Sequence, residues 1–219
     1  MHNALSLFCL KYAESLLPER MIFAGSDSNE KSPIAFAIYL IRIGNRNILV
    51  DAGCDTMPDF KMRKFYSPSF VIRWADVSVD EITDVIITHS HHDHIEGLKH
   101  FKNATVHISD SEYEKGKRYI PESLSVNLFE GEYEIDDGIK IVEVGGHSKG
   151  SCVVEIETDG KTVVLAGDEC YSNSNIKEKI PTGSYSDKEK SVGFVEKYSD
   201  NRYIVLTSHD ISLKTQKII

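Results

Sequence analysis

Histidines are concentrated in one short stretch of this sequence. Four of the nine histidines lie in "HSHHDH", which places His89, His91, His92, Asp93 and His94 within six positions. Neighbouring imidazoles would repel one another once protonated, and a single carboxylate could not neutralise them. Imidazole and carboxylate groups together suit Zn²⁺, Fe²⁺, Mn²⁺ and similar ions, whereas Ca²⁺ and Mg²⁺ prefer oxygen ligands. The spacing therefore indicates a metal site, and the alternative is a solvated polar turn.

Four predicted strands end in residues that could bind the same metal ions. "TDVIIT" runs into His89, "IKIVEVGG" into His147, "KTVVLAG" into Asp168 and "YIVLTS" into His209. Strand ends are rigid, and the loops that follow them are where binding groups gather. With the residues of the first stretch, the set of imidazoles and carboxylates exceeds what one tetrahedral ion needs. We therefore expect two ions about 3.5–4 Å apart, with a carboxylate able to bridge them.

The elements that must position these residues are short apolar strands with helical segments between them. "SPIAFAIYLIRIGNRNILVDAG" predicts two strands that turn at Gly44, and "SCVVEIETDGKTVVLAGD" predicts two that turn at Gly160. Further strands are predicted at "TDVIITH", "ATVHIS", "GIKIVEVGG" and "RYIVLTSHD", and helical segments at "HIEGLKHF" and "SDKEKSVGFVEKYS". A charged helix start followed by a surface loop is predicted at "SDSEYEKGKR". The acidic run "EGEYEIDD" is expected to be a solvated edge and turn. This pattern suits a layered α/β or α+β architecture.

In residues 54–78 the apolar residues do not recur at the spacing of a helix or of a strand, and the segment contains two prolines and several aromatic residues. They are interpreted either as a mobile cap over a site or as a surface connection with a short helix. The aromatic residues in 60–74 would serve an interface as readily as a cap, so a homodimer stays open. Ser78 is expected to cap the N-terminus of a short helix.

The bulk composition favours one globular domain spanning residues 1–219. A chain of 219 residues with 41% hydrophobic and 27% charged residues can build a sizeable core. The net charge of −9 argues against non-specific nucleic-acid binding, which needs a basic surface. No apolar run approaches the roughly 18 residues of a membrane span, and the N-terminus lacks the basic start of a signal peptide. The expected compartment is the cytoplasm, with no nucleic-acid or membrane partner.

The cysteines are scattered and include no CxxC pair, so neither a disulfide framework nor a thiolate zinc site is indicated. We expect four reduced, mostly buried thiols. Outside the motifs above, His2, His100 and His107 show no ligand spacing and are expected to be ordinary surface or packed side chains.

The ordered motifs resemble those of the metallo-β-lactamase superfamily. "THSHHDHIEGL" fits the HxHxDH signature, "GGHSKGS" is similar to the second histidine motif, and "LAGD" and "TSHD" resemble the later aspartate and histidine motifs. "ILVDAG" resembles the early element in which an aspartate follows a strand. The resemblance covers roughly residues 34–210. It implies an α/β fold of the αββα sandwich type, in which two mixed β-sheets are flanked by helices.

The resemblance also implies how the ligands divide between two divalent ions. One ion would be bound by His89, His91 and His147, the other by Asp93, His94 and His209, with Asp168 bridging them. Zinc is the default metal, and Fe²⁺, Mn²⁺ or Co²⁺ suits the same ligands. Asp51 would orient a ligand from behind. The alternative for Asp51 is an aspartate that only ends a strand and starts a turn.

One subgroup, the quorum-quenching N-acyl homoserine lactonases, shares further features with this chain. Tyr171 follows Asp168 by three residues in "GDECY", an offset at which a phenol would hydrogen-bond a substrate carbonyl. "FEGEYEIDDGIKIVEVGGHS" and "SHHDHIEGLKHFKNATVHISDSEYE" resemble lactonase stretches as well. The implied function is hydrolysis of a small lactone or ester by a metal-bridging hydroxide, with Asp93 or Asp168 transferring the proton and Tyr171 stabilising the oxyanion. The alternative for Tyr171 is packing beside the site.

Several features depart from the lactonase pattern. Lys149 stands where a proline is usual, His92 stands where an apolar residue is common, and residues 54–78 differ in sequence. The main alternative is a thioesterase of the glyoxalase II type, or another small-ester hydrolase of the superfamily. Such thioesterases usually carry a basic C-terminal helical extension, whereas this sequence ends ten residues after His209. A metal-binding scaffold without catalysis is the non-enzyme alternative.

Overall fold

The structure is a computed structural model that describes residues 5–58 and 60–219, so His2 lies outside the described residues. The strands are β1 Leu5–Pro18, β2 Lys31–Ile43, β3 Arg46–Val50, β4 Asp84–Ile87, β5 Thr105–Ser109, β6 Ser125–Phe129, β7 Glu132–Asp136, β8 Ile139–Glu143, β9 Cys152–Glu157, β10 Thr162–Leu165, β11 Tyr203–Leu206 and β12 Gln216–Lys217. The helices are α1 Glu19–Ile22, α2 Pro68–Val71, α3 His92–Ile95, α4 Asp110–Gly116, α5 Asn173–Glu178 and α6 Lys188–Tyr198. Short 3₁₀ turns, such as Glu96–His100 and Gly167–Glu169, connect several of them.

Within the described part of the chain, the strands form two mixed sheets. The first has seven strands in the order β12-β1-β2-β3-β4-β5-β6, and the second has five in the order β11-β10-β9-β8-β7. In the first sheet β1, β2 and β3 are antiparallel, whereas β3 to β6 run parallel. In the second sheet β7 to β10 are antiparallel and β11 is parallel to β10. The predicted hairpin turns at Gly44 and Gly160 are present, each with the positive φ angle that glycine tolerates.

The core has a layer between the sheets and a layer on each outer face. Between the sheets, Tyr39 and Ile86 of the first sheet belong to one cluster with Ile141 and Val154 of the second. Apolar residues on the outer face of the first sheet cluster with the helical segments after β3 and β4. On the outer face of the second sheet, Phe194 of α6 packs in a cluster with strand residues. Helices therefore flank two packed sheets, and the predicted αββα sandwich is confirmed.

Three elements add to the sequence-based prediction. No secondary structure was assigned to the N-terminal stretch, and it forms the long strand β1, paired along its length with β2. The acidic run was expected to be a solvated edge and turn, and its residues Glu132–Asp136 form β7 at the edge of the second sheet. Strand β6 was not predicted, and its exposed Val126 and Leu128 give no regular buried pattern. The four cysteines are free and buried, as predicted.

Among its described residues, segment 54–78 contains short helical structure. The first helix that these residues form after β3 is α2, and a 3₁₀ turn at Ile72–Ala75 follows directly. Ser78 forms a capping box with Glu81, as expected of an N-cap, at the start of a single 3₁₀ turn. None of the helices formed by the described residues has the length and apolar character that crossing a bilayer needs.

Candidate metal centre

The seven candidate ligands meet at one end of the sandwich, where strands of both sheets terminate. The first sheet supplies the residues that follow β4, and the second sheet supplies the residues that follow β8, β10 and β11. They form two groups, and within each group the candidate ligand atoms all lie within 4.8 Å of one another: His89, His91, His147 and Asp168 in one, and Asp93, His94 and His209 in the other. The resemblance implied the same separation of the six residues other than Asp168, and their binding of metal stays a prediction.

In the first group three imidazole nitrogens crowd together. Nε2 of His89 lies 2.9 Å from Nδ1 of His91, and Nε2 of His147 lies 3.0 Å from the same Nδ1. Oδ2 of Asp168 lies 3.8 Å from Nε2 of His89 and 3.5 Å from Nε2 of His147. One Nδ1 has either one proton or one lone pair, so it cannot satisfy both neighbouring nitrogens by hydrogen bonding.

The second group converges on the other oxygen of the same aspartate. Oδ1 of Asp168 lies 2.9 Å from Nε2 of His209 and 3.0 Å from Nε2 of His94. Oδ2 of Asp93 lies 3.6 Å from each of these nitrogens. Asp168 therefore presents one carboxylate oxygen to each group, which is the arrangement that a bridging ligand requires.

Three buried polar atoms that meet at the second group fit a metal ion. Nε2 of His94, Nε2 of His209 and Oδ1 of Asp168 are buried, and none of them has a hydrogen bond of acceptable geometry. Such unpaired buried groups are costly, and native proteins usually satisfy them with protein, water or an ion. Nitrogen and carboxylate oxygen donors at this spacing match the preference of zinc and similar ions. The residues present therefore fit two divalent ions.

The other ring nitrogens of two histidines are held by hydrogen-bond acceptors. Nδ1 of His94 lies 2.7 Å from Oδ2 of Asp51, and Nδ1 of His209 lies 2.8 Å from the carbonyl oxygen of Ala35. When Nδ1 donates its proton to these acceptors, Nε2 has a free lone pair directed into the site. The carbonyl oxygen of Thr207, two residues before His209, accepts a hydrogen bond of 2.5 Å from the Tyr39 hydroxyl.

Asp51 is fixed by its own backbone and by Thr88. It has a φ angle of 63°, a left-handed conformation that aspartate and asparagine tolerate better than most residues. Its Oδ1 accepts hydrogen bonds from the backbone NH and the hydroxyl of Thr88, at 2.8 and 2.9 Å. The end of β3 is thereby joined to the residue that precedes His89, so Asp51 braces both ends of the "HSHHDH" stretch.

Two buried glutamates, which the sequence analysis did not single out, hold the histidine loops. Glu112 of α4 accepts hydrogen bonds from the NH and the hydroxyl of Ser90 through Oε2, and from the Ser148 hydroxyl and the Gly150 NH through Oε1. One carboxylate thus joins the loop of His89 and His91 to the loop of His147. The four hydrogen bonds outweigh burial and lower the pKa of Glu112 below its usual value.

Glu169 performs a similar role beside Asp168. Its Oε1 accepts hydrogen bonds from the NH groups of Gly146 and His147, both at 3.1 Å, and from the Ser151 hydroxyl at 2.5 Å. Burial raises the pKa of Glu169 to about 7 despite these bonds. In the sequence, Glu112 and Glu169 look like any other acidic residues, because only packing against the loops distinguishes them.

The electrostatics of the second group favour a positive charge. Burial lowers the pKa of His94, but the carboxylates of Asp51, Asp168 and Asp93 outweigh it and raise that pKa well above 6.5. Burial would raise the pKa of Asp168, but the neighbouring His209 and His94 lower it well below 3.8. His89 differs, because burial and the nearby His94 lower its pKa well below 6.5 and leave it neutral. A carboxylate-rich group beside a neutral imidazole is suited to cation binding.

A cavity of about 360 Å³ opens onto both groups. Its polar wall includes His91, Asp93, His147, Asp168 and His209, and its apolar wall is formed by Leu17, Met21, Ile34, Phe36, Met57 and Phe60. The described lining residues include neither lysine nor arginine. Two of the apolar residues, Met57 and Phe60, come from segment 54–78, which therefore contributes to the cavity wall. The cavity size lies within the usual range for small-molecule sites.

Tyr171 lines the cavity beside the candidate ligand His209. Its ring stacks on that of His209, with centroids 5.0 Å apart and an interplanar angle of 20°. Burial, with the nearby Asp168 and Asp93, raises the pKa of Tyr171 well above 10.0. The phenol therefore keeps its proton and is able to donate a hydrogen bond into the cavity.

The remaining residues of interest lie outside the two groups. His92 lines the cavity half-buried, with Nε2 2.8 Å from the carbonyl oxygen of Thr56. Lys149 is exposed and is not among the described cavity residues. His100 contacts Asp55 at 2.7 Å, and the buried His107 contacts Asp84 at 2.9 Å, so both are ordinary packed histidines.

Comparison with known proteins identifies one family across most of the chain. The model of the metallo-beta-lactamase superfamily matches residues 37–209. An N-acyl homoserine lactonase from Bacillus cereus is 29% identical over 154 residues, which cover 64% of this chain and 61% of the relative. The N-acyl homoserine lactonase AiiB from Rhizobium rhizogenes is 23% identical and covers 93% of each chain. The present chain thus spans 61% of the length of the Bacillus cereus relative that it matches.

Solved structures share the same architecture. The structure of an N-acyl homoserine lactone hydrolase with the product N-hexanoyl-L-homoserine bound at its catalytic metal centre has a TM-score of 0.84 and 20% identity, and covers all of both chains. The dizinc quorum-quenching lactonase AidC has a TM-score of 0.75 and 18% identity, and covers 97% of this chain and 90% of its own. At these identities the likeness supports the fold.

Proposed function

Because this chain belongs to the metallo-β-lactamase superfamily, we propose that it is a dinuclear metal-dependent hydrolase that opens a lactone ring of the N-acyl homoserine lactone type. The observation that carries the proposal is the cavity in which Tyr171 and both ligand groups face an apolar wall. Such a cavity suits an amphipathic molecule with a hydrolysable carbonyl at one end and an acyl chain at the other. The similarity to N-acyl homoserine lactonases supports the same substrate class.

We assign the metal ligands as the two groups suggest. His89, His91 and His147 would hold one ion, Asp93, His94 and His209 the other, and Asp168 both. Two bound divalent ions would lower the pKa of a water molecule and polarise the substrate carbonyl. Zinc is the proposed metal, in keeping with these ligands and with the dizinc relative.

Tyr171 is assigned to the carbonyl oxygen of the substrate. As the ester carbonyl is attacked, negative charge develops on its oxygen, and a fixed donor in a buried site stabilises that charge. The stacking on His209 limits the positions that the phenol can take, and its raised pKa keeps the donor proton in place. Tyr171 therefore binds and orients the substrate and then stabilises the oxyanion.

Asp93 is assigned to proton transfer, with Asp168 as the second candidate. Asp93 lines the cavity with its side chain 10% exposed, whereas the side chain of Asp168 is only 3% exposed. A carboxylate open to the cavity can accept the proton of an attacking water and pass it to the alkoxide that leaves when the ring opens. The backbone of Asp93 is positioned by the Tyr12 hydroxyl, which lies 3.2 Å from its carbonyl oxygen.

The apolar wall favours an acyl chain over a charged substrate arm. Six apolar side chains form it, and the described lining has no lysine or arginine to pair with a carboxylate-bearing thioester of the glutathione type. We further propose a single domain over residues 1–219 that works in the cytoplasm on a small lactone or ester, without nucleic acid. The net charge of −9 supports the absence of a nucleic-acid partner.

The experiment is acid release by the zinc-loaded protein on a panel of substrates. The panel contains N-hexanoyl- and N-decanoyl-homoserine lactones, a glutathione thioester and a chromogenic β-lactam, each with Asp168→Asn as the metal-site control. Faster opening of the lactones, absent in Asp168→Asn, is the expected result. Faster thioester hydrolysis would replace the proposal with a thioesterase. No hydrolysis of any substrate by protein with two bound ions would favour a binding scaffold.

A further inference from the structure

Four aromatic side chains are exposed together between β3 and β4. Phe65, Tyr66, Phe70 and Trp74 are 40%, 49%, 45% and 44% exposed. The rings of Tyr66, Phe70 and Trp74 contact one another, with centroid distances of 5.3 to 6.1 Å. Among the described residues, these four are almost half of the large hydrophobic side chains that are exposed. All four lie within the ten positions from 65 to 74. We call them the aromatic patch.

The aromatic patch lies in the most basic stretch of an acidic chain. Residues 60–75 contain four basic residues and no acidic residue: Lys61, Arg63, Lys64 and Arg73. All four are exposed. Since the chain carries −9 in total, the other residues together carry −13 against +4 in this stretch. Lys64 contacts Glu14 at 3.0 Å, but its side chain is 74% exposed, so solvent screens that pair.

Charge and side-chain chemistry together select the partner of this surface. Two copies of the patch would bring like charges together, which disfavours self-association through it. Phenylalanine and tryptophan beside lysine and arginine are the residues with which peripheral proteins enter the boundary between lipid headgroups and acyl chains. Basic side chains add electrostatic attraction to an anionic lipid surface, and the negative remainder of the chain would orient the patch toward it.

We propose that the aromatic patch is a docking surface for an anionic lipid bilayer. The rings would enter the headgroup boundary while Arg73 and its basic neighbours contact lipid phosphates. This replaces the expectation of no membrane partner, which followed from the absence of an apolar span and did not concern peripheral binding. The same segment supplies Met57 and Phe60 to the cavity wall. Docking through the patch would therefore bring this segment to the bilayer, where compounds with acyl chains accumulate. Only this last consequence rests on the proposed function.

Trp74 makes the proposal directly measurable, because it is the only tryptophan in the chain. Its emission would be recorded while vesicles are added to the full-length protein without substrate. Equimolar phosphatidylcholine and phosphatidylglycerol should shift the emission to shorter wavelength, and co-sedimentation should recover the protein with the vesicles. Phosphatidylcholine alone should have little effect, and high salt should weaken the binding.

Substitutions of a basic and of an aromatic residue test whether the vesicles bind at the aromatic patch. Arg73→Glu should lower vesicle affinity at least about fivefold, the effect of losing one basic side chain at an anionic surface. Phe70→Ala should also lower the affinity measured by co-sedimentation. Lys188→Glu makes the same charge change at an exposed site on α6 and should leave the affinity close to that of the unaltered protein.

Several outcomes would overturn the proposal. Unchanged Trp74 emission with anionic vesicles is one, and equal loss of affinity in Arg73→Glu and Lys188→Glu is another. An emission shift that depends on protein concentration without lipid would assign the patch to self-association. A shift with single-stranded oligonucleotide and none with vesicles would assign it to nucleic acid.

Discussion

The carboxylate of Asp51 lies 2.7 Å from Nδ1 of His94, and both side chains are almost fully buried. Oδ1 of the same carboxylate accepts two hydrogen bonds from Thr88. Asp51 therefore determines the orientation and the tautomer of His94 without itself lying in either ligand group. It also joins β3 to the loop after β4, so a change here acts on the candidate ligands through the residues that support them.

Asp51→Asn should lower the free energy of metal binding by more than it lowers the free energy of unfolding. Asparagine tolerates the φ angle of 63°, but its amide group can accept fewer of these hydrogen bonds than a carboxylate can. Loss of such a supporting partner typically lowers metal affinity about 10–100-fold. Competition with a chromophoric chelator measures the affinity. Asp200→Asn, at an exposed carboxylate, is the control, and equal affinities for the two variants would contradict the assigned role.

Tyr171→Phe should lower turnover while keeping the metals. Phenylalanine can still stack on His209, so the change removes only the hydroxyl. When another group also stabilises the oxyanion, the loss of one hydrogen-bond donor lowers turnover about 10²-fold or less. Steady-state kinetics on the best lactone would show lower kcat with unchanged metal content. Tyr185→Phe, at an exposed tyrosine, should have no effect, and an unchanged kcat for Tyr171→Phe would reduce Tyr171 to a packing residue.

Glu112→Gln should destabilise the folded chain and loosen the two histidine loops. The carboxylate accepts hydrogen bonds from four groups, and an amide of the same size must place a donor against at least one of their protons. A buried mismatch of this kind costs about 1–3 kcal/mol. Urea unfolding gives the free energy. Glu114→Gln, exposed on the same helix, is the matched control, and equal free energies of unfolding for the two variants would show that the brace contributes nothing.

Asp84 should contribute stability that is lost in acid. Its Oδ1 lies 2.7 Å from Arg46 and 2.9 Å from His107, and although burial opposes ionisation, these partners lower its pKa well below the ordinary 3.8. A group with a lowered folded-state pKa stabilises the fold above its unfolded pKa and loses that effect as the pH falls below it. At neutral pH Asp84→Asn should therefore cost about 1–3 kcal/mol of unfolding free energy.

The pH dependence distinguishes this charge effect from a packing effect. The difference between Asp84→Asn and the unaltered protein should shrink as the pH falls through about 3.8 toward the folded pKa of Asp84. Urea unfolding over a series of pH values measures it. Asp136→Asn removes the other, more exposed carboxylate beside Arg46 and should cost less. A penalty for Asp84→Asn that stays constant down to acid pH would mean that ionisation is not its source.

The residues that meet at the site were predictable because each follows a strand whose apolar run is visible in the sequence. His89, His147, Asp168 and His209 are all of this kind. In the second sheet β8, β10 and β11 run in the same direction, because β9 is antiparallel to both β8 and β10 and β11 is parallel to β10, so the ends of these three strands lie at one edge. Their roles as ligands remain a prediction that metal analysis must test. Tyr171 could be located only through its offset from Asp168 in a known family pattern.

Other features depended on tertiary contacts that no local pattern records. Polar and apolar residues do not alternate regularly along β1, because side chains on both of its faces are covered. Its residues Tyr12 and Leu17 are buried beside the site. Glu112 resembles its exposed neighbour Glu114 in the sequence, and it differs only because two loops fold over it. The apolar cavity wall combines residues of β1, α1, β2 and segment 54–78, so its chemistry emerges only after the sheets have formed.

The candidate ligands are divided between the two sheets, with those after β4 on one and those after β8, β10 and β11 on the other. Ions bound to both groups would cross-link the two halves of the chain, and the free energy of binding would add to the free energy of folding. A cell starved of metal would then hold more of this protein in open forms that proteases can cleave. The amount of protein, and not only its activity, would follow the metal supply.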